Sequence, residues 1–183
     1  EAGGQLYLLI LSREQFAPIS IQVVTDLAAR KPHVEHVKDL IRNTSVSPSG
    51  KRAAFEARGE IFSLPAEHGV VQNLTRTSGA AERYPTWSPD GKHIAYWTDR
   101  NGEYQLALRS ANGSGEEQLV TEATPGYRPH WAPDSKKIAY IDTMTLYIYN
   151  RDAKESTQVM QDRWLMHDNL TGFHINWSSG SRW

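Results

Sequence analysis

Trp87-Ser88-Pro89-Asp90-Gly91-Lys92, followed by Ile94-Ala95-Tyr96, recurs as Trp131-Ala132-Pro133-Asp134-Ser135-Lys136, followed by Ile138-Ala139-Tyr140. An earlier copy reads Val46-Ser47-Pro48-Ser49-Gly50-Lys51 with Ala53-Ala54-Phe55 behind it, and a fourth begins at Trp177-Ser178-Ser179. Anchors at 46, 87, 131 and 177 stand 41, 44 and 46 residues apart, which is the period of a four-stranded propeller blade. Pro, Gly, Asp and Ser also punctuate the chain about every 8 to 12 residues, the rhythm of short strands and turns and not of helices.

The clearest copy divides into four strands. Tyr84 to Ser88 is the first, and Pro89-Asp90-Gly91 turns the chain because proline fixes φ while Asp and Gly tolerate tight backbone geometry. Lys92 to Thr98 is the second, and Asp99 to Gly102 turns into the third, Tyr104 to Arg109. There Tyr104, Leu106 and Leu108 alternate with the period of two of a half-buried sheet. Asn112 to Gly115 turns again before a fourth strand at Gln118 to Thr121. One twisted blade cannot bury both of its faces, so neighbouring blades must cover them. Trp87, Trp131 and Trp177 are accordingly read as blade-to-blade packing residues, since large aromatic areas favour burial.

The fold class is therefore all-β, built of β-propeller repeats of four-stranded antiparallel blades. Three full blades are expected at 43–75, 82–121 and 127–161, with a half blade at 1–25 and the start of a further blade at 172–183. The N-terminal strands are placed at Gln5 to Leu11 and Ile19 to Thr25, the C-terminal one at Phe173 to Trp177. Two explanations of these half blades stay open. Either the chain is a segment of a longer propeller protein, or its complementary ends meet in one composite blade, within a chain or as a homo-oligomer.

Apolar residues at 39% and charged residues at 22% are those of a folding globular chain and too apolar for a disordered one. The net charge of −1 comes from 20 basic and 21 acidic residues scattered along the sequence. That leaves no basic stripe to neutralise a nucleic-acid backbone, so nucleic acid is not an expected partner. Cysteine is absent, which excludes disulfides, thiol catalysis and cysteine-ligated zinc. The longest apolar run, Leu6 to Leu11, has strand length and falls short of a membrane span, so no membrane insertion is expected.

A longer string narrows the reading. Arg58-Gly59-Glu60-Ile61-Phe62-Ser63-Leu64-Pro65, then Asn73-Leu74-Thr75-Arg76-Thr77-Ser78-Gly79, then Glu82-Arg83-Tyr84-Pro85-Thr86-Trp87-Ser88-Pro89-Asp90-Gly91, resembles the propeller region of tricorn-type serine peptidases. The Trp-Ser-Pro-Asp-Gly turn alone is less specific, being shared with the Tol-system propeller and with prolyl-oligopeptidase-like propellers. The resemblance implies a non-catalytic propeller attached to a peptidase, acting in peptide access, filtering or binding. It implies no enzyme activity for this chain alone, because the family's catalytic residues lie in separate domains. It also implies a prokaryotic source, cytoplasm or periplasm. The alternative is a scaffold for a protein partner, in the manner of the Tol-system propeller. Two departures stand out: Ser135 replaces the turn glycine of the third copy, and the last copy lacks both Pro and Asp.

Other constellations read as structural. His33, Glu35 and His36 lack the spacing and the further ligand a zinc site needs, so no metal is expected. Gly113-Ser114-Gly115 is too short for a nucleophile elbow and sits in a hairpin turn. Asp90, Asp99 and Asp134 stand in turns, where Asp accepts from nearby amides. No phosphate loop or other cofactor motif is present. Five Asn-x-Ser/Thr matches, such as Asn73-Leu74-Thr75, reflect turn composition. The loops joining one blade's outer strand to the next blade's inner strand emerge on one face, and Glu82, Arg83, Tyr127 and Arg128 lie there. With Arg83 and Arg128 at similar positions before Pro85 and Pro129, these four form the candidate peptide-contacting loop, the arginines meeting carboxylates through paired hydrogen bonds.

Overall fold

The computed structural model describes residues 6–10, 12–13, 15–19, 36–77, 79–115, 117–122, 127–143, 145–161 and 175–181. The chain divides into two units, Glu1–His36 and Val37–Trp183. In the first, β1 (Leu6–Ile10) and β2 (Gln15–Ile19) form an antiparallel hairpin in which Leu6 faces Ile19 and Ile10 faces Gln15. The second N-terminal strand therefore precedes its expected place at Ile19 to Thr25. A tight connection pairs β1 with the nearest extended segment, and register then follows from the turn. Residues 20–25 lie outside the described residues, as do His33 and Glu35.

The second unit holds three four-stranded antiparallel meanders. The first contains β3 (Ile41–Val46), β4 (Arg52–Ala57), β5 (Glu60–Pro65) and β6 (Gln72–Asn73). The second contains β7 (Glu82–Trp87), β8 (His93–Thr98), β9 (Gln105–Ser110) and β10 (Gln118–Glu122). The third contains β11 (His130–Trp131), β12 (Lys137–Asp142), β13 (Thr145–Asn150) and β14 (Glu155–Gln161). No α-helix occurs among the described residues.

Alternation along the strands assigns one face to each neighbour. In the second meander, Ile94, Tyr96 and Ala107 pack with Ala54, Ile61 and Leu74 of the first. Ala95, Trp97, Leu106 and Leu108 point the other way, into Trp131, Ile138, Tyr140 and Tyr149 of the third. Trp97 meets Tyr140 edge-on at 6.0 Å between ring centroids, and Tyr140 stacks on Tyr147 at 5.4 Å. Trp131 fulfils its expected packing role.

The turn after each anchor keeps one geometry despite its changing letters. Gly50, Gly91, Ser135 and Ser181 all adopt the left-handed conformation, at φ of 68°, 70°, 60° and 54°. Each of their amides donates to the carbonyl three residues back, at 2.8–3.0 Å. The loss of Pro and Asp from the last copy thus leaves its turn intact. The expected strand at Phe173 to Trp177 is not formed over its described part, since Ile175 to Ser178 carries no ladder. Phe173 itself lies outside the described residues.

Candidate functional site

The four loop residues do not form one surface. Glu82 is fully buried, and its Oε1 accepts from Thr77 Oγ1 at 2.6 Å and from Thr98 Oγ1 at 3.3 Å. Its amide donates across to Gly59 O of the first meander. Burial pushes the Glu82 carboxyl above its ordinary value, partly offset by the threonine hydroxyls. Glu82 therefore anchors a blade junction, and the expectation that it contacts peptide is corrected: its side chain is fully buried, with Oε1 taken by threonines.

Arg83 is exposed, with its guanidinium carbon 5.6 Å from the Tyr104 ring centroid. Tyr127 and Arg128 are half-buried, and Tyr127 O accepts from Trp97 Nε1 at 2.9 Å. The two arginines are not repeat equivalents, because Arg83 stands four residues before Trp87 and Arg128 three before Trp131. Arg83 belongs to β7, opposite Trp97, whereas Arg128 precedes the two-residue β11. A bulge between Arg83 and Thr86, with Tyr84 at φ 56°, re-aims the chain entering β7.

A concave site lies at the other end of the strands. Between the first and second meanders opens a groove of about 1020 Å³, lined by Ser49, Lys51, Trp87, Gly91, Lys92 and His93 among others. Asp90 Oδ1 accepts from Ser88 Oγ at 2.5 Å and from the Lys92 amide at 3.0 Å. Its carboxyl is burdened by burial, but these two hydrogen bonds help hold it below the usual range. His93 has its pKa lowered by burial and then by Arg151, whose guanidinium lies 3.1 Å from Nε2. A neutral imidazole accepts there. Arg52 is committed elsewhere, donating to Ser63 Oγ at 2.8 Å, Ser63 O at 2.9 Å and Val70 O at 3.1 Å.

Asp134 and Asn112 bond within their own turns as read from sequence, whereas Asp99 reaches out of its turn to Ala81. Asp134 Oδ1 accepts from the Lys136 amide at 2.9 Å, and Asp99 Oδ1 from the Ala81 amide at 2.6 Å. Asn112 Oδ1 accepts from the amide and hydroxyl of Ser114 at 2.9 and 2.6 Å. No group of three or more His, Asp or Glu suited to a metal occurs among the described residues. The groove escaped the sequence reading. The signal for it was the alignment of Gly91 with Ser135 and Ser181, which marks one blade junction as chemically different.

Comparison with known proteins agrees with this architecture. No family model matches the sequence. A putative tricorn protease homolog of Streptomyces coelicolor is 23% identical over 127 residues, covering 66% of this chain and 11% of that protein. The crystal structure of TolB from Acinetobacter baumannii superposes with a TM-score of 0.57 at 22% identity, over 86% of this chain and 38% of that one. The crystal structure of the tricorn protease gives a TM-score of 0.63 at 16% identity, over 98% of this chain and 17% of that one. The chain spans under a third of the length of the curated relatives it matches. In fold, the chain is a tricorn-like β-propeller segment, similar also to the propeller of TolB.

Proposed function

We propose that the chain is a non-catalytic propeller segment of a tricorn-like peptidase, acting in peptide access, filtering or binding. The observation that carries this reading is that 98% of the chain superposes on a 17% portion of the tricorn protease, so its counterpart there is one part of a much longer chain. The side chains agree with it. Ser47, Ser88, Ser135 and Ser181 of the repeat turns are engaged in turn and inter-blade hydrogen bonds, and the carboxylate that Ser88 meets, Asp90, belongs to the turn itself and also accepts from the Lys92 amide. Ser47 Oγ, for example, accepts from the Arg52 amide at 3.1 Å and lies 3.2 Å from Ser49 Oγ.

A second reading, a scaffold for a folded protein partner, is favoured by the TolB superposition over 86% of the chain. One experiment separates the two. Calorimetric titration of the chain with a mixed panel of unstructured peptides is run beside a fluorogenic peptide-cleavage assay. Binding without turnover is the expected result. Turnover lost on a single Ser substitution overturns the non-catalytic reading. Absence of any peptide binding overturns the peptide reading in favour of the scaffold.

A further inference from the structure

Successive blades are stapled at the turns that follow their anchor residues. At the second junction, Ser135 Oγ accepts from the Asp90 amide at 3.0 Å, and at the third, Ser181 Oγ accepts from the Asp134 amide at 3.1 Å. The anchor tryptophans add a second bond at the same places. Trp131 Nε1 donates to Thr86 O at 3.2 Å and Trp177 Nε1 to His130 O at 3.4 Å. Thr86 and His130 are repeat equivalents, each directly preceding an anchor.

The first junction lacks both staples. Gly91 stands where Ser135 and Ser181 stand, so it offers no hydroxyl to the amide of Ser49. Trp87 Nε1 is buried without an acceptor. This is where the groove opens, with Ser49, Trp87 and Gly91 in its lining. Two exposed lysines, Lys51 and Lys92, line it as well. The carboxylate among the lining residues, Asp90, already accepts from Ser88 and Lys92. The groove thus presents positive charge and an aromatic ring, and the carboxylate in its lining is already engaged.

We propose that this groove between the first two blades binds an extended acidic peptide, resting on the peptide-binding reading above. Carboxylates of the peptide pair with Lys51 and Lys92. A backbone carbonyl of the peptide meets the Ser49 amide, to which Gly91 offers no hydroxyl, and its apolar atoms lie on Trp87. Nucleic acid is a poorer occupant, since the chain carries a net charge of −1 and no extended basic stripe.

The test uses the full chain, a peptide alternating Glu and Ser, and the same peptide with Gln for Glu. Binding is followed by calorimetry and by the indole N–H resonance of Trp87. The Glu peptide is expected to bind and to shift that resonance, with the Gln peptide about tenfold weaker or more. The double variant Lys51→Gln/Lys92→Gln is expected to lose about the same factor. Gly91→Ser supplies the absent hydroxyl at φ 70°, where an added Cβ meets Pro48 Cδ at 3.9 Å, an ordinary contact, and where the bond gained offsets the left-handed strain as it does at Ser135. It is expected to weaken binding while the thermal midpoint holds. Equal affinity for both peptides, or unchanged affinity in both variants, overturns the proposal. If Glu-peptide binding is instead lost in Arg83→Gln/Arg128→Gln, the groove assignment falls while the peptide reading stands. If neither peptide binds and the mixed panel also fails, both fall.

Discussion

Ser135 shows how a residue in an unfavourable conformation becomes useful. A non-glycine residue in the left-handed region costs about 1 kcal/mol or more, and Ser135 sits there at φ 60° while almost fully buried. Its hydroxyl offsets the strain by accepting from the Asp90 amide of the preceding blade. Ser135→Ala keeps the strain and breaks a part-buried hydrogen bond, so it is expected to cost about 1 kcal/mol in urea unfolding. Ser135→Gly loses the same bond but relieves the backbone, and is expected to cost less than the alanine variant. The opposite order would show that the left-handed backbone at this position carries no strain worth relieving. Glu82 carries a different liability. Its carboxyl is raised by burial, so its contribution to stability is fully present below the unfolded value near 4.5 and is lost as pH rises through the folded value. Thr77, Thr75 and Thr98 favour the charged form and Glu117 opposes it. Glu82→Gln is therefore expected to melt higher than the parent at pH 7, with the gap closing toward pH 4, in a pair of thermal scans.

At the scale of strands and turns, the anchor tryptophans make a controlled comparison. Trp131 donates to Thr86 O and lies under the Arg151 guanidinium at 5.4 Å, whereas Trp87 Nε1 has no acceptor. Trp131→Phe is expected to lose about 1–2 kcal/mol through the broken bond and the reduced ring area. Trp87→Phe removes a buried donor that is already unpaired, so its cost is expected to be smaller. Chemical denaturation of the two variants side by side checks the difference. These elements were legible to different degrees, for physical reasons. The Pro-Asp-Gly turns, the Ile94-Ala95-Tyr96 strand and its copy follow from local chemistry and period, and they stand within a residue or two of where the letters place them. β2 stands earlier than composition suggests, because the β-branched run after Ile19 is more strand-like than Gln15 to Ile19 while the hairpin register decides the pairing. The bulge at Tyr84 and the burial of Glu82 were not legible. Both depend on the adjacent blade, through the Tyr84 amide on Glu56 Oε2 at 3.1 Å and the Glu82 amide on Gly59 O. The groove depends on a difference between repeats, which becomes chemical only when the turns are known to face one another.

Across the Val37–Trp183 unit, stability is expected to be graded and not uniform. Stacked repeats contact only their neighbours, so protection follows the number of covered faces. β8 is hydrogen-bonded on both sides, to β7 and β9, and is covered on both faces. Ile94 and Tyr96 lie in the core shared with the first blade, Ala95 and Trp97 in the core shared with the third. β14 is the opposite case, an edge strand paired only with β13, with nearly every residue exposed and a register shift opposite Leu146 and Tyr147. β3 is also an edge strand and mostly exposed. Hydrogen exchange read by mass spectrometry is therefore expected to be slowest in segments covering 93–98, intermediate in β4 and β12, and fastest in β14 and β3. Trp97→Ala, which empties the core between the second and third blades, is expected to cost about 3–5 kcal/mol. It should raise exchange in β12 and β13 more than in β4 and β5, because Trp97 packs toward the third blade alone. Equal acceleration in all three sheets would mean that the blades unfold as one cooperative body, with the junctions as strong as the sheets themselves. Acceleration confined to the second and third blades would show that the first blade holds its structure independently of the core that Trp97 fills.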